Sequence, residues 1–240
     1  MIRDAHVLCA SRLEQRMRWL INQDLSCCEI DDRLVFLDFA LDRYFRLSSP
    51  LESVMRRFLA TGVMPRQHGR ELEDNGIVIA RASCRQSGMP DLPDPTASAI
   101  ESSLAMHRPP RPGALVEVAV TLWWTRHRLR RQPFKAVIED SVAHRKTRVL
   151  PRASPAEVID VVREAAMQFI CARRYVPIEP CCLLDSLALL RFLSRRRLPA
   201  RIVFGVTLAP FAAHCWLQAD GVVLNETLSD ACAHTPIRII

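Results

Sequence analysis

Two adjacent cysteines stand behind a proline at the mouth of an apolar stretch, Pro180-Cys181-Cys182-Leu183-Leu184-Asp185-Ser186-Leu187-Ala188-Leu189-Leu190, and a histidine follows in Ala213-His214-Cys215-Trp216. A thiolate is a strong nucleophile, and a cysteine in the first turn of a helix has its pKa lowered by the unpaired N–H groups and the helix dipole. Pro180 fixes the entry, so either Cys181 or Cys182 falls in that turn. Such a thiol still needs a base. An imidazole held by a third polar group is the usual activator, and His214 is the candidate.

The third group follows from the hairpin that Asp220-Gly221 predicts. A three-residue loop, Ala219-Asp220-Gly221, sets Gln218 against Val222 and places His214 opposite Glu226. A two-residue loop places His214 opposite Thr227, with Asn225 as its same-face diagonal neighbour. Either register gives His214 a polar partner, Glu226 in the first and Asn225 in the second. A helical cysteine or a strand histidine taken alone is ordinary core or surface. Helix cysteine, strand histidine and strand acid together point to a thiol enzyme.

The elements that must position these groups fall in the C-terminal half. Ser154-Pro155-Ala156-Glu157 reads as a capping-box start for a helix carrying Val158, Val161, Val162, Ala165, Phe169 and Ile170, ending near Arg173-Arg174. The helix from Cys182 to about Arg196 is apolar nearly all round and so belongs in the middle of a domain. After Pro199 the pattern changes to strands over 200–206, 214–218 and 222–227. Upstream, an apolar segment from Ala114 leads into the basic run Arg126–Arg131, which reads as a docking surface or a solvated helix end.

In the N-terminal half, runs at Cys27–Ile30, Arg33–Phe39 and Tyr44–Leu47, separated by Asp31-Asp32 and by residues 40–43, predict three short antiparallel strands. Ser49-Pro50-x-Glu52 then opens a helix with Leu51, Val54, Met55, Phe58 and Leu59 on one face, closed by Gly62. Residues 71–79 read as a helix end, a turn and a short strand. Prolines at 90, 93, 95, 109, 110 and 112 mark a linker. The expected organisation is a winged-helix-like module over 1–82, a Pro/Ser-rich linker over 83–113 and an α+β domain over 114–240.

Composition narrows the function classes. With 49% hydrophobic and 25% charged residues the chain is of ordinary globular type, without a secretory h-region or an apolar run long enough to span a bilayer. A cytoplasmic location is expected, with no membrane insertion. The nine cysteines are odd in number and include no CxxC pair, which disfavours a disulfide framework. Two adjacent pairs, Cys181-Cys182 and His214-Cys215, are poorly spaced for a tetrahedral ion, so no metal is expected. The net charge of +7 admits a DNA-binding regulator as an alternative, but the Pro50–Leu59 helix offers only Arg56 and Arg57, and no nucleic-acid partner is expected.

The segment "CLLDSLALLRFLSRRRLPARIVFGVTLAPFAAHCWLQADGVVLNE" resembles the leader-peptide proteases of lasso-peptide biosynthesis, which have a transglutaminase-like, papain-like α+β core. Their pattern is a C-L-x-x-S-L-A-L helix, an arginine-rich turn, A-R-L/I-V-x-G-V, P-F-x-A-H-x-W and G-x-V-L/V-N-D. The resemblance selects Cys182 over Cys181, since Cys182 precedes Leu183 and stands four before Ser186, and it puts His214 on the histidine of H-x-W. The family's last motif usually ends in aspartate, where this chain has Asn225-Glu226. The stretch "RLVFLDFALDRYFRLSS" and the helix after it are similar to the leader-recognition element of these proteins. The resemblance implies that a leader pairs with the third strand, at Tyr44, Phe45, Arg46 and Leu47, and lays apolar side chains on the helix at Val54 and Phe58. It further implies a Cys182, His214, Glu226 triad (Asn225 as alternative), a precursor peptide as substrate, no cofactor, and a partner macrolactam synthetase that uses ATP. A thiol acyltransferase of transglutaminase type is the nearer alternative.

Overall fold

Short apolar runs and one acidic two-residue turn, Asp31-Asp32, build the first part of the chain. The computed structural model describes residues 18–81, 92–101, 109–146 and 155–240. These form two compact units that meet along the sequence near residue 88.

The first unit comprises β1 (Arg18–Ile21), β2 (Leu25–Ile30), β3 (Arg33–Asp38), β4 (Arg43–Phe45), α1 (Ser49–Thr61), α2 (Arg66–Asp74) and β5 (Val78–Arg81). Strands β2, β3 and β4 form one antiparallel sheet, as the short apolar runs predict. The β2–β3 turn is made by Asp31 and Asp32, both at positive φ (48° and 58°), which suits the right-handed twist of the strands it joins. Helix α1 begins one residue earlier than expected, with Ser48 as its N-cap, and ends on Gly62 at φ 70°. Leu34, Phe36, Met55, Phe58, Leu72 and Val78 form the core. The buried Glu52 carboxylate accepts the Leu34 N–H at 2.8 Å, which locks α1 onto β3.

Two features of this unit differ from the sequence reading. The third strand stops at Phe45, so Arg46 and Leu47 lie beyond it, on the approach to α1. In addition, β1 pairs with β5 as a separate antiparallel ribbon, with Arg18 opposite Arg81. Packing of this ribbon depends on Gly69, because a Cβ there would lie 2.4 Å from the Trp19 ring. Arg56, one of the two cations offered for DNA, is engaged by Glu29, the Asp32 carbonyl and Glu52.

The second unit contains β6 (Ala97–Ser98), α3 (Pro112–Arg131), α4 (Phe134–Lys146), α5 (Pro155–Arg173), α6 (Cys182–Arg195), β7 (Arg201–Leu208), β8 (Phe211–Ala219), β9 (Val222–Val223), α7 (Leu228–Ala233) and β10 (Thr235–Ile239). Its five-stranded sheet has the order β10-β7-β8-β9-β6, antiparallel except for the β6–β9 pair. Helix α6 packs against α3, α4, α5, β7 and β8, which is why its sequence is apolar nearly all round. Leu187, Leu189, Phe192 and Leu193 are fully buried, and each such side chain contributes about 2 kcal/mol of transfer free energy. The fold class is α+β, with a three-stranded sheet preceding the larger helix-and-sheet unit.

The linker assignment over 83–113 needs correcting. Residues Leu92–Glu101 belong to the second unit: β6 extends its sheet, and the Thr96 N–H donates to the Gly221 carbonyl at 2.8 Å. Helix α3 also begins inside the stretch, at Pro112. Prolines mimic a linker here because a two-residue strand has no periodicity to set against them. Ser154, the expected cap of α5, lies outside the described residues. The basic end of α3 is partly folded in, with the Arg128 and Arg191 guanidiniums 4.8 and 3.5 Å from the centre of the Trp124 ring.

Candidate active site

Cys182 is the first residue of α6, and Cys181, in extended conformation, is its N-cap. The thiol of Cys182 therefore sits where the helix's first N–H groups have no partner within the helix, and the dipole favours its anion. Asp185, one turn on, would oppose that anion, but Arg173 takes up its charge. The Arg173 Nε donates to Asp185 Oδ1 at 2.6 Å, and its terminal nitrogens donate to the carbonyls of Val176 (3.2 Å) and Ile178 (2.9 Å). One guanidinium thus ties the end of α5, the connecting loop and the start of α6.

His214 reaches Cys182 from β8. Its Nε2 meets Glu226 Oε2 at 2.8 Å, which leaves Nδ1 as the nitrogen free to serve the thiol. The Cys182 thiol is hydrogen-bonded to the Cys215 thiol, to His214 and to the Cys215 backbone, and these contacts outweigh burial to lower its pKa to about 4. Its hydrogen bond raises the pKa of His214 above the usual imidazole value, with Glu226 adding to the effect. Cys215, buried and donating to Cys182, is pushed well up. Both shifts favour a thiolate beside a protonated imidazole, a pair able to attack a carbonyl and to protonate a leaving amine. Among the described residues no group of three His, Cys, Asp or Glu side chains is arranged to hold a metal ion.

The hairpin has the two-residue register, Gln218 opposite Val223 and Ala219 opposite Val222, yet His214 binds Glu226. The two halves of the expectation were joined wrongly. Strand β9 ends at Val223 and not at Thr227, Leu224 keeps one bond to Leu217, and residues 225–226 bend out of the ladder. Asn225, the alternative partner, points elsewhere: its Oδ1 accepts from Leu217 N at 2.7 Å and its Nδ2 donates to Ser186 Oγ at 3.0 Å. Glu226 Oε1 accepts from Thr227 N at 2.9 Å, which turns the other oxygen to the imidazole.

A family model described as the transglutaminase-like superfamily matches residues 115–238, just over half of the chain. The chain belongs to this superfamily. No curated protein and no solved structure gives a match. Membership points to cysteine-dependent acyl-transfer chemistry, of the protease or acyltransferase type.

Several residues around the transglutaminase-like site were not singled out from sequence. Ser98, on β6, donates to the Glu226 carbonyl at 2.6 Å. The ring of His234 lies 5.3 Å from that of His214, and its Nδ1 is 2.8 Å from the Asp230 carbonyl. Gly205, opposite His214, makes room for both Trp216 and His234, since a Cβ would lie 2.7 and 2.9 Å from them. Cys215 alternates with His214 along β8, a signal the sequence carried without revealing its contact. In the first unit, Tyr44 and Phe45 lie on β4 at the sheet edge, and Val54 and Leu47 are half-buried beside the core. Phe58, expected to meet a ligand, is instead 6% exposed within the core.

Proposed function

We propose that the chain is a cysteine protease that removes the leader from a ribosomally made lasso-peptide precursor, the first unit holding the leader and the second cutting it. The observation that carries the reading is the juxtaposition of Cys182, His214 and Glu226, with the nucleophile at a helix start. The motif run from Cys182 to Glu226 supports the same class. Leader binding draws support from β4, the outer strand of the three-stranded sheet, beside which a further strand would run at Tyr44 and Phe45, with Arg46, Leu47 and Val54 alongside.

In the proposed reaction the Cys182 thiolate attacks the carbonyl at the leader–core junction. Backbone N–H groups at the start of α6 receive the oxyanion. His214, as imidazolium, gives its proton to the departing amine as the C–N bond breaks, leaving a thioester. The neutral imidazole, held by Glu226, then deprotonates water, which attacks the thioester and frees the leader acid and the thiolate. The chemistry requires no metal or organic cofactor. The new core amine passes to an ATP-using macrolactam synthetase.

Mass spectrometry of precursor peptide incubated with wild type, Cys181→Ala and Cys182→Ala tests this. Cleavage by the first two and not the third is expected; trimming by Cys182→Ala would sink the proposal. Family membership also favours transfer of the same acyl group to an amine. A product carrying a new amide in place of the free leader acid would identify that course.

A further inference from the structure

In the register observed, a straight continuation of β9 sets Leu217 opposite Leu224 and Cys215 opposite Glu226. Side chains of paired residues share a face, so that strand would send the Glu226 carboxylate to the Cys215 face, away from His214. The chain must therefore leave the ladder before Glu226. It does so directly after Leu224, whose N–H still donates to the Leu217 carbonyl at 2.8 Å. In an antiparallel pair of this kind the Leu217 N–H would return a bond to the Leu224 carbonyl. Instead it donates to the side-chain Oδ1 of Asn225 at 2.7 Å.

We propose that Asn225, braced by Ser186, is a positioning residue for the acyl-transfer site. Its side-chain carbonyl replaces a main-chain carbonyl in the ladder, so the chain can bend away without orphaning a buried N–H and can deliver Glu226 to His214. Ser186 completes the brace. Its hydroxyl is fully buried, accepts from Asn225 Nδ2 at 3.0 Å and donates to the Cys215 carbonyl at 3.2 Å. One polar chain thus joins α6, which carries Cys182, to β8, which carries His214, and to the bend that carries Glu226. An apolar residue at 225 would leave Leu217 N–H without its partner, a loss that disfavours the bend itself.

The inference rests on the proposed Cys182–His214–Glu226 site, but its test needs no peptide substrate, so the two readings fail separately. The charged and titratable groups near the imidazole are Cys182 from α6, Glu226 from the bend and His234 from the end of α7, with Cys215 against Cys182. The measurement is the His214 ring titration by NMR in histidine-labelled protein, assigned with His214→Ala. Glu226→Gln and Asn225→Ala are each expected to lower the midpoint, by about one pH unit, and the double variant to lower it no further than Glu226→Gln alone. Ser186→Ala, which spares the Leu217 bond, should move it less and in the same direction. A purely structural asparagine would lower the melting temperature while leaving the titration in place, or would add its shift to that of Glu226→Gln; either result overturns the proposal. Should Asn225→Ala fail to fold, Ser186→Ala decides, and an unmoved midpoint there overturns it as well.

Discussion

The dipeptide Cys-Cys occurs twice in this chain, at Cys27-Cys28 and at Cys181-Cys182, and the two copies behave in opposite ways. On β2, burial pushes the Cys27 thiol up to about 11, and burial with the neighbouring Cys27 pushes Cys28 to about 12. At the start of α6, Cys182 is brought down to about 4 although it too is partly buried. What separates them is the supply of donors. The strand pair faces Phe36 and Val35 across the ladder, and neither side chain has an N–H or O–H to offer. Cys182, at a helix terminus, meets the thiol and backbone N–H of Cys215 and the imidazole of His214. Reactivity belongs to the surroundings and cannot be read from the dipeptide.

His214→Ala should do most to collapse this contrast. Peptide turnover is expected to fall by about 10³-fold with the loss of the acid–base group, while the reactivity of Cys27 and Cys28 stays unchanged. Steady-state kinetics on the folded variant would show it; a loss of under about tenfold would mean that the helix start alone activates the thiol.

The two pairs can next be compared directly, by their rates of exchange with a disulfide reagent at pH 6. A pKa of about 4 against about 11 gives Cys182 roughly five decades more thiolate, and weaker intrinsic nucleophilicity takes back about three, leaving Cys182 faster than Cys27 by about 10². Equal rates would break the comparison.

A finer effect concerns Cys215, whose thiol makes the leading contribution to the low Cys182 value. Cys215→Ala should raise the midpoint of Cys182 alkylation against pH by about one unit, while Cys215→Ser, which keeps an O–H donor, should hold it near wild type. Alanine and serine giving the same profile would remove Cys215 from the account.

The smallest effect is on stability. The Cys182 pKa falls on folding, so its contribution is present above the ordinary value of 9.0 and is lost as the pH drops toward 4. The His214 pKa rises, so its contribution is complete below 6.5 and is lost as the pH climbs through the raised value. In urea unfolding, the stability gap between wild type and Cys182→Ala should widen from about pH 4 to about 6.5 and stop widening above it, where the two slopes cancel.

Much of the site was legible because its signals are local. Pro180 and the apolar run narrowed the start of α6 to one of two residues, Asp220-Gly221 marked the hairpin and left Glu226 or Asn225 as the partner of His214, and the motif run chose Cys182 and matched His214. What was not legible depends on contacts distant in sequence. The β1–β5 ribbon, the two-residue β6 and the closing strand β10 are short, and a short strand acquires meaning only from its partner. The route by which Glu226 arrives was misread for a related reason. Counting residues along a hairpin assumes an unbroken ladder, and a side chain standing in for a carbonyl leaves no trace in the hydrophobic pattern.

The small strand β6 bears on how this protein can be divided. Its Ser98 grips the carbonyl of Glu226, and the Thr96 and Ala99 N–H groups hold the hairpin at Gly221 and Val223. A fragment started at Ala114, after the last of the dense prolines, would keep every residue of the proposed triad yet lose the outermost strand of its sheet. A fragment started at Met89 keeps that strand. The boundary between the two compact units therefore lies upstream of the prolines that read as a linker in the sequence.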